Sequence, residues 1–198
     1  MIAAGGLSGG LSSTIAGGKF IDGFRQGVIT SGLNHVAHSI NLAIQEQASE
    51  SELRRRLIDA EYNPDDDATP VQNSLIEFAK KILPELYKEA KNPEFEKVSL
   101  INNNPNQRGE APMQYSSKSF KVVSIGKIKL ADSAFKSYFD LASTMGHELN
   151  HVIDYVSGNW TQWAQKGGYQ EAKHRSELKA YSWQNVNGGR ARTFGKFF

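Results

Sequence analysis

The pentapeptide His147-Glu148-Leu149-Asn150-His151 sits inside the apolar stretch Phe139 to Val156, and it constrains this chain more than any other segment. On a helix, residues four apart project from nearly the same face, one turn above the other. Two imidazoles so placed can hold one zinc ion and leave room for a third ligand and a water. Glu148 leans to the side of the pair, where its carboxylate can take a proton from that water. The flanks predict the helix that this geometry needs. Ser137 followed by Asp140 reads as a capping box, so the helix starts near Tyr138. Leu141, Met145, Leu149, Val152 and Val156 recur at spacings of three and four and form a packing stripe, and Ser157-Gly158-Asn159 offers a stop. A buried helix that sets two histidines and a glutamate against a cleft is what metal-assisted hydrolysis requires.

A catalytic zinc takes three protein ligands and a water, so a third ligand must come from elsewhere. The segment from Tyr169 to Val186, introduced by Gly167-Gly168 and closed by Asn187-Gly188-Gly189, is predicted helical and offers Glu171, His174 and Glu177. At 100° per residue these fan across one face, His174 central and each glutamate about 60° to either side. Helical geometry alone leaves all three open. Asp154, three residues after His151, is better placed to orient a histidine than to bind the metal.

The residues HELNH resemble the signature of the zincin metallopeptidases, and a glutamate on a following helix is similar to the gluzincin branch. That resemblance implies an α+β fold: a small mixed or antiparallel sheet, a metal-binding active-site helix, a following helix carrying the third ligand, and a helical N-terminal segment. It implies Zn2+ bound by His147 and His151, with Glu148 as general base. Within the branch, the interval of the thermolysin-like pattern would select Glu171. The E-x-x-A pattern selects Glu177 in Ser176-Glu177-Leu178-Lys179-Ala180-Tyr181, and it is favoured because the surrounding residues match and not only the interval. Neither glutamate is followed by the aspartate that often supports a histidine in these families. The metzincin pattern is absent, with Asp154 and Ser157 at its glycine and third-ligand positions. Tyr181 is the candidate for stabilising the developing oxyanion, with Tyr155 as an alternative. The strand Lys127 to Ala131, just before the metal helix, is expected to be the edge along which an extended peptide pairs.

Composition closes off other classes. The chain has 198 residues, 39% hydrophobic and 22% charged, with a formal net charge of +2, so charge implies neither nucleic acid nor a membrane surface as partner. It has no cysteine, which rules out disulfides and a thiolate zinc site. The sequence shows no secretory signal and no uninterrupted apolar stretch of about 18 residues. Residues 1–48 form a Gly-rich lead-in and a weakly helical junction segment, in which His35 and His38 read as structural or solvated. Residues 49–198 are the expected extent of the metallopeptidase-like domain that the HELNH resemblance implies. There, Ser49 to Tyr62 predicts a short charged helix, and Asp65-Asp66-Asp67 reads as a solvated turn. Thr69-Pro70 reads as a helix start, with Leu75, Phe78, Ile82 and Leu86 as a core stripe and a kink at Pro84. Strands are predicted at 95–101, 114–125 and 127–131, and the basic ending Arg190 to Lys196 reads as a docking tail.

The opening segment GGLSGGLSSTIAGGKFIDGFRQGVITSGLNHVAH resembles the junction that precedes interchangeable C-terminal cassettes in RHS-repeat and related polymorphic toxins. This implies a secreted or carrier-delivered toxin whose partners are a protein or peptide substrate, a carrier or secretion-system protein and a cognate immunity protein. Two rivals remain open. One is a binding module in which the metal is structural; the other is a membrane-active effector that uses residues 1–46.

Overall fold

A computed structural model of the chain describes residues 52–187. The Gly-rich lead-in with its boundary at residue 48, the histidines His35 and His38, and the basic ending lie outside the described residues.

The described fold is α+β. It opens with helix α1 over residues 52–59, where Leu53 and Leu57 turn one face into the core and Arg54 ties the acidic turn down through both oxygens of Asp65. The three aspartates do not converge. Asp66 accepts from the Asn63 amide, and Asp67 accepts the Thr69 backbone N–H at 2.6 Å. That bond also corrects the expected helix start, because Thr69–Val71 makes only a 3-10 turn with Ala68 in the capping position. The α-helix begins at Leu75. Helix α2 (Leu75–Ile82) buries Leu75, Phe78 and Ile82 of the predicted stripe, while Leu86 is half-buried on α3 (Pro84–Glu89), a separate helix rather than a kinked continuation. Proline drives the preceding residue out of the helical region, and Leu83 accordingly sits at φ −128°, ψ 45°.

Strand β1 (Phe95–Val98) pairs in parallel with β5 (Ile128–Ala131), and the two-residue β2 (Gly109–Glu110) pairs antiparallel on the other side of β5. The strand before the metal helix is therefore central and not the expected edge. Its side chains Ile128, Leu130 and Ala131 are buried, and a strand so deep needs neighbours on both sides to satisfy its backbone. The single strand expected at 114–125 is a hairpin, β3 (Met113–Tyr115) with β4 (Val122–Ile125). The serine-rich residues 116–119 and the left-handed Phe120 turn the chain between them.

Helix α4 (Tyr138–Ser157) runs through the centre. The Ser137 hydroxyl accepts the Asp140 N–H at 3.0 Å, and Gly158 ends the helix in a left-handed conformation, both as the sequence predicts. Every residue from Leu141 to Asp154 is buried, since α5, the α2–α3 pair and the sheet cover the helix on all sides. Helix α5 (Asn159–Val186) begins ten residues before the expected Tyr169 and breaks at Gly168, whose φ 83°, ψ 178° is open only to glycine. Its first limb buries Trp160, whose ring lies 5.1 Å from that of Tyr115 on the hairpin. Its second limb lies along α4, close enough that a Cβ on Gly146 would come 1.9 Å from the Trp183 ring. Gly146→Ala is expected to wedge the two helices apart and cost about 1–3 kcal/mol in urea unfolding. Adding Trp183→Leu to that variant is expected to recover part of the loss.

Candidate metal centre

The two helices meet at three side chains. His147 and His151 project from one face of α4, and Glu177 reaches them from the second limb of α5. The two Nε2 atoms lie 3.1 Å apart, and Glu177 Oε2 is 3.5 Å from His147 Nε2 and 3.7 Å from His151 Nε2. Tetrahedral zinc with bonds of about 2.0–2.1 Å spaces its ligand atoms about 3.3 Å apart, so the triangle fits that ion. Among the described residues this is the only group of three or more such side chains placed to share a cation.

The outer hydrogen bonds state which ring nitrogens face the centre. The Gln184 amide donates to the Ser143 carbonyl (3.3 Å) and hydroxyl (3.2 Å), which turns its oxygen to His147 Nδ1 at 3.0 Å. Ser176 Oγ stands 2.8 Å from His151 Nδ1 and donates to Asp154 Oδ2 at 2.9 Å. Both histidines therefore carry their proton on Nδ1, and both Nε2 lone pairs point inward. Two lone pairs at 3.1 Å repel unless a cation or a proton lies between them, and that is the arrangement of a ligand pair.

Electrostatics agree with this geometry. Burial pushes His151 down to about 4, so it is neutral and its lone pair is free. Burial also pushes His147 down, but Glu177 and Glu148 outweigh it and leave its pKa above the usual histidine value. Burial raises Glu177 too, yet the two histidines beside it bring its carboxyl below the usual range. Glu148 is buried and pushed up to about 7 by that burial, against the pull of His147 and of the Ala111 N–H, which its carboxylate accepts. Gly109 on β2 packs on the same carboxylate, and a Cβ there would lie 2.6 Å from Glu148 Oε1.

His147 and His151 of the motif are at the centre with Glu148 buried beside them, and of the three α5 candidates only Glu177 joins them. Glu171 is bound to Arg175 at 2.6 Å and packs on Gly167, and His174 is exposed. Tyr181 meets the His147 ring edge-on at 4.7 Å, and Tyr155 lies parallel to His151 at 6.5 Å, its hydroxyl pKa raised by burial. Asp154 supports His151 as expected, but through Ser176. Sequence reasoning missed Ser176, Gln184, Gly109 and Ala111. Gln184 had a readable signal, since seven residues after Glu177 returns to within about 20° of the same face. Gly109 and Ala111 had none, because only the pairing of β2 with β5 brings them to Glu148.

No protein-family model matches this chain, and no curated protein or solved structure is found similar to it. Among the described residues, no helix is long and apolar enough to cross a membrane.

Proposed function

We propose that this protein is a zinc metallopeptidase of the zincin type, with His147, His151 and Glu177 as ligands and Glu148 as general base. The carrying observation is the inward-facing triangle of two Nε2 lone pairs and a carboxylate, with a buried glutamate beside it. A bound zinc ion supplies Lewis acidity, polarising a carbonyl and acidifying water towards a pKa of about 7. Glu148 is held in place by Gly109 and the Ala111 N–H. It is placed to take a proton from the attacking water and return it to the leaving amine. Tyr181, against His147, is the candidate donor to the oxyanion. Strand β2 is the sheet edge next to Glu148 and the favoured site for pairing with an extended peptide.

The biological role we infer is that of a delivered toxin cassette. It rests on the likeness of the opening segment to polymorphic-toxin junctions, and it carries with it a carrier and an immunity protein.

Zinc titration of the metal-free chain tests the ligand assignment. One equivalent is expected to bind, and peptidase activity against an unfolded protein should appear with it and vanish on chelation. A ligand histidine must be deprotonated, and the raised pKa of His147 means that binding should release more protons as pH falls. Apparent affinity should fall as pH drops and His147 takes up a proton, approaching about tenfold per pH unit. Affinity that is flat with pH down to 5, read by competition with a chelator of known pH dependence, would place the metal elsewhere.

A further inference from the structure

We propose that Ser176 is a positioning residue for the metal, relaying the Asp154 carboxylate to His151 so that His151 Nε2 faces the centre. The inference rests on the zinc-site assignment above and concerns how the site is held. Asp154 follows His151 by three residues on α4, but its carboxylate bonds to Ser176 and Lys179 rather than to the His151 ring. Ser176 from α5 closes the gap. Its hydroxyl donates to Asp154 Oδ2 at 2.9 Å and has its lone pairs left for the His151 Nδ1–H at 2.8 Å. The second Asp154 oxygen accepts from Lys179 Nζ at 2.7 Å.

Burial makes this order directional. Asp154 is 0% exposed and Ser176 is 2% exposed, so neither has water as an alternative partner. A carboxylate accepts only, which commits the hydroxyl proton to Asp154 and obliges Ser176 to accept from His151. Lys179 compensates the Asp154 charge at 2.7 Å. Reversing either bond of Ser176 would make His151 Nδ1 an acceptor and put the proton of the neutral ring on Nε2, at the centre of the site. The helix that brings Glu177 to the metal thus also brings, one residue earlier, the group that fixes the tautomer of a ligand on α4. No aspartate follows Glu177 along α5; Tyr181 stands four residues on. Asp154 fills that role from the metal helix itself, and Ser176 supplies the missing reach.

The test is Ser176→Ala in the full chain, read by imidazole 15N shifts of the metal-free protein at pH 8 and by zinc affinity. Ser176→Thr, which keeps the hydroxyl, is the rescue. Ser176→Ala is expected to move His151 from Nδ1–H to a mixture containing Nε2–H, with His147 unchanged, and to weaken zinc binding by about 10–100-fold. Ser176→Thr should keep the wild-type tautomer and most of the affinity. Unchanged shifts or unchanged affinity in a folded Ser176→Ala variant would overturn the proposal. If Ser176→Ala does not fold, a Ser176→Thr protein with the altered tautomer would do the same. A wild-type chain that binds no zinc would sink the zinc assignment, while the 15N shifts would still decide the role of Ser176.

Discussion

Glu148→Gln is expected to lower kcat by about 10²–10⁴-fold while leaving one zinc bound with unchanged affinity. The substitution keeps the shape of the side chain and its acceptor for the Ala111 N–H, and Glu148 is not among the three groups that converge on the centre. Only the capacity to carry a proton is lost. Full activity in Glu148→Gln would end the general-base assignment, and loss of zinc would mean that Glu148 is itself a ligand. The same variant tests the biological role. Bacteria expressing the wild-type chain, in the cytoplasm or exported, should grow poorly where Glu148→Gln at matched levels does not. Equal toxicity would shift the weight to a membrane-active opening segment, and no toxicity in either compartment would remove the toxin proposal while leaving the enzyme.

The pH dependence of metal-free stability carries a second signature of Glu148. Its folded pKa, about 7, lies above the unfolded model value of 4.5, so the folded state binds the extra proton between those values. The stabilisation from that proton is complete below pH 4.5 and is lost as pH rises through 7. His151 works in the opposite direction, because its folded pKa of about 4 costs stability as pH falls from 6.5 through 4. The two groups oppose each other over this range, and Glu148→Gln, which lacks the first, should gain stability relative to wild type as pH rises from 4.5 to 7. Urea midpoints across that window read the difference directly.

Glu177→Ala is expected to weaken zinc binding by more than the roughly 10–100-fold that losing an outer hydrogen-bond partner costs, since a ligand itself is removed. Glu171→Ala should bind zinc as wild type does. The contrast follows from placement: Glu177 Oε2 is 3.5 Å and 3.7 Å from the two histidines, whereas Glu171 is engaged with Arg175 one turn along the exposed side of α5. Calorimetric titration of both variants decides it, and equal binding by the two would remove Glu177 from the ligand set. A structural role for the metal predicts a different pair of results. Glu177→Ala would then lower the melting temperature sharply, and Glu148→Gln would have no effect on any hydrolysis observed.

The centre of the molecule was legible because α4 announces itself locally. Its cap at Ser137, its stop at Gly158 and the four-residue spacing of His147 and His151 all follow from the backbone of one helix. The strands were less legible. The run at 114–125 reads as continuous β-former until the serine turn at 116–119 is weighed, and two-residue β2 is too short to leave a pattern at all. The first limb of α5 was missed for a related reason. Gln162, Gln165 and Lys166 give it a polar face, and its buried Trp160 and Ala164 mean little until the hairpin is there to receive them.

The sequence by itself determined the helix that carries His147, Glu148 and His151, the spacing of those side chains, and the short set of candidates for a third partner. These are local properties, set by a repeat of 3.6 residues and by side-chain chemistry. Which candidate stands beside the two histidines was decided only by tertiary structure, through the break at Gly168 and the close approach of Gly146 to Trp183 that set the course of α5 along α4. The same docking put Ser176 and Gln184 behind the histidines, and the pairing of β2 with β5 put Gly109 and Ala111 against Glu148. A helix fixes how its own side chains are spaced, but not which neighbour it will face, because that depends on how all the buried surfaces pack at once.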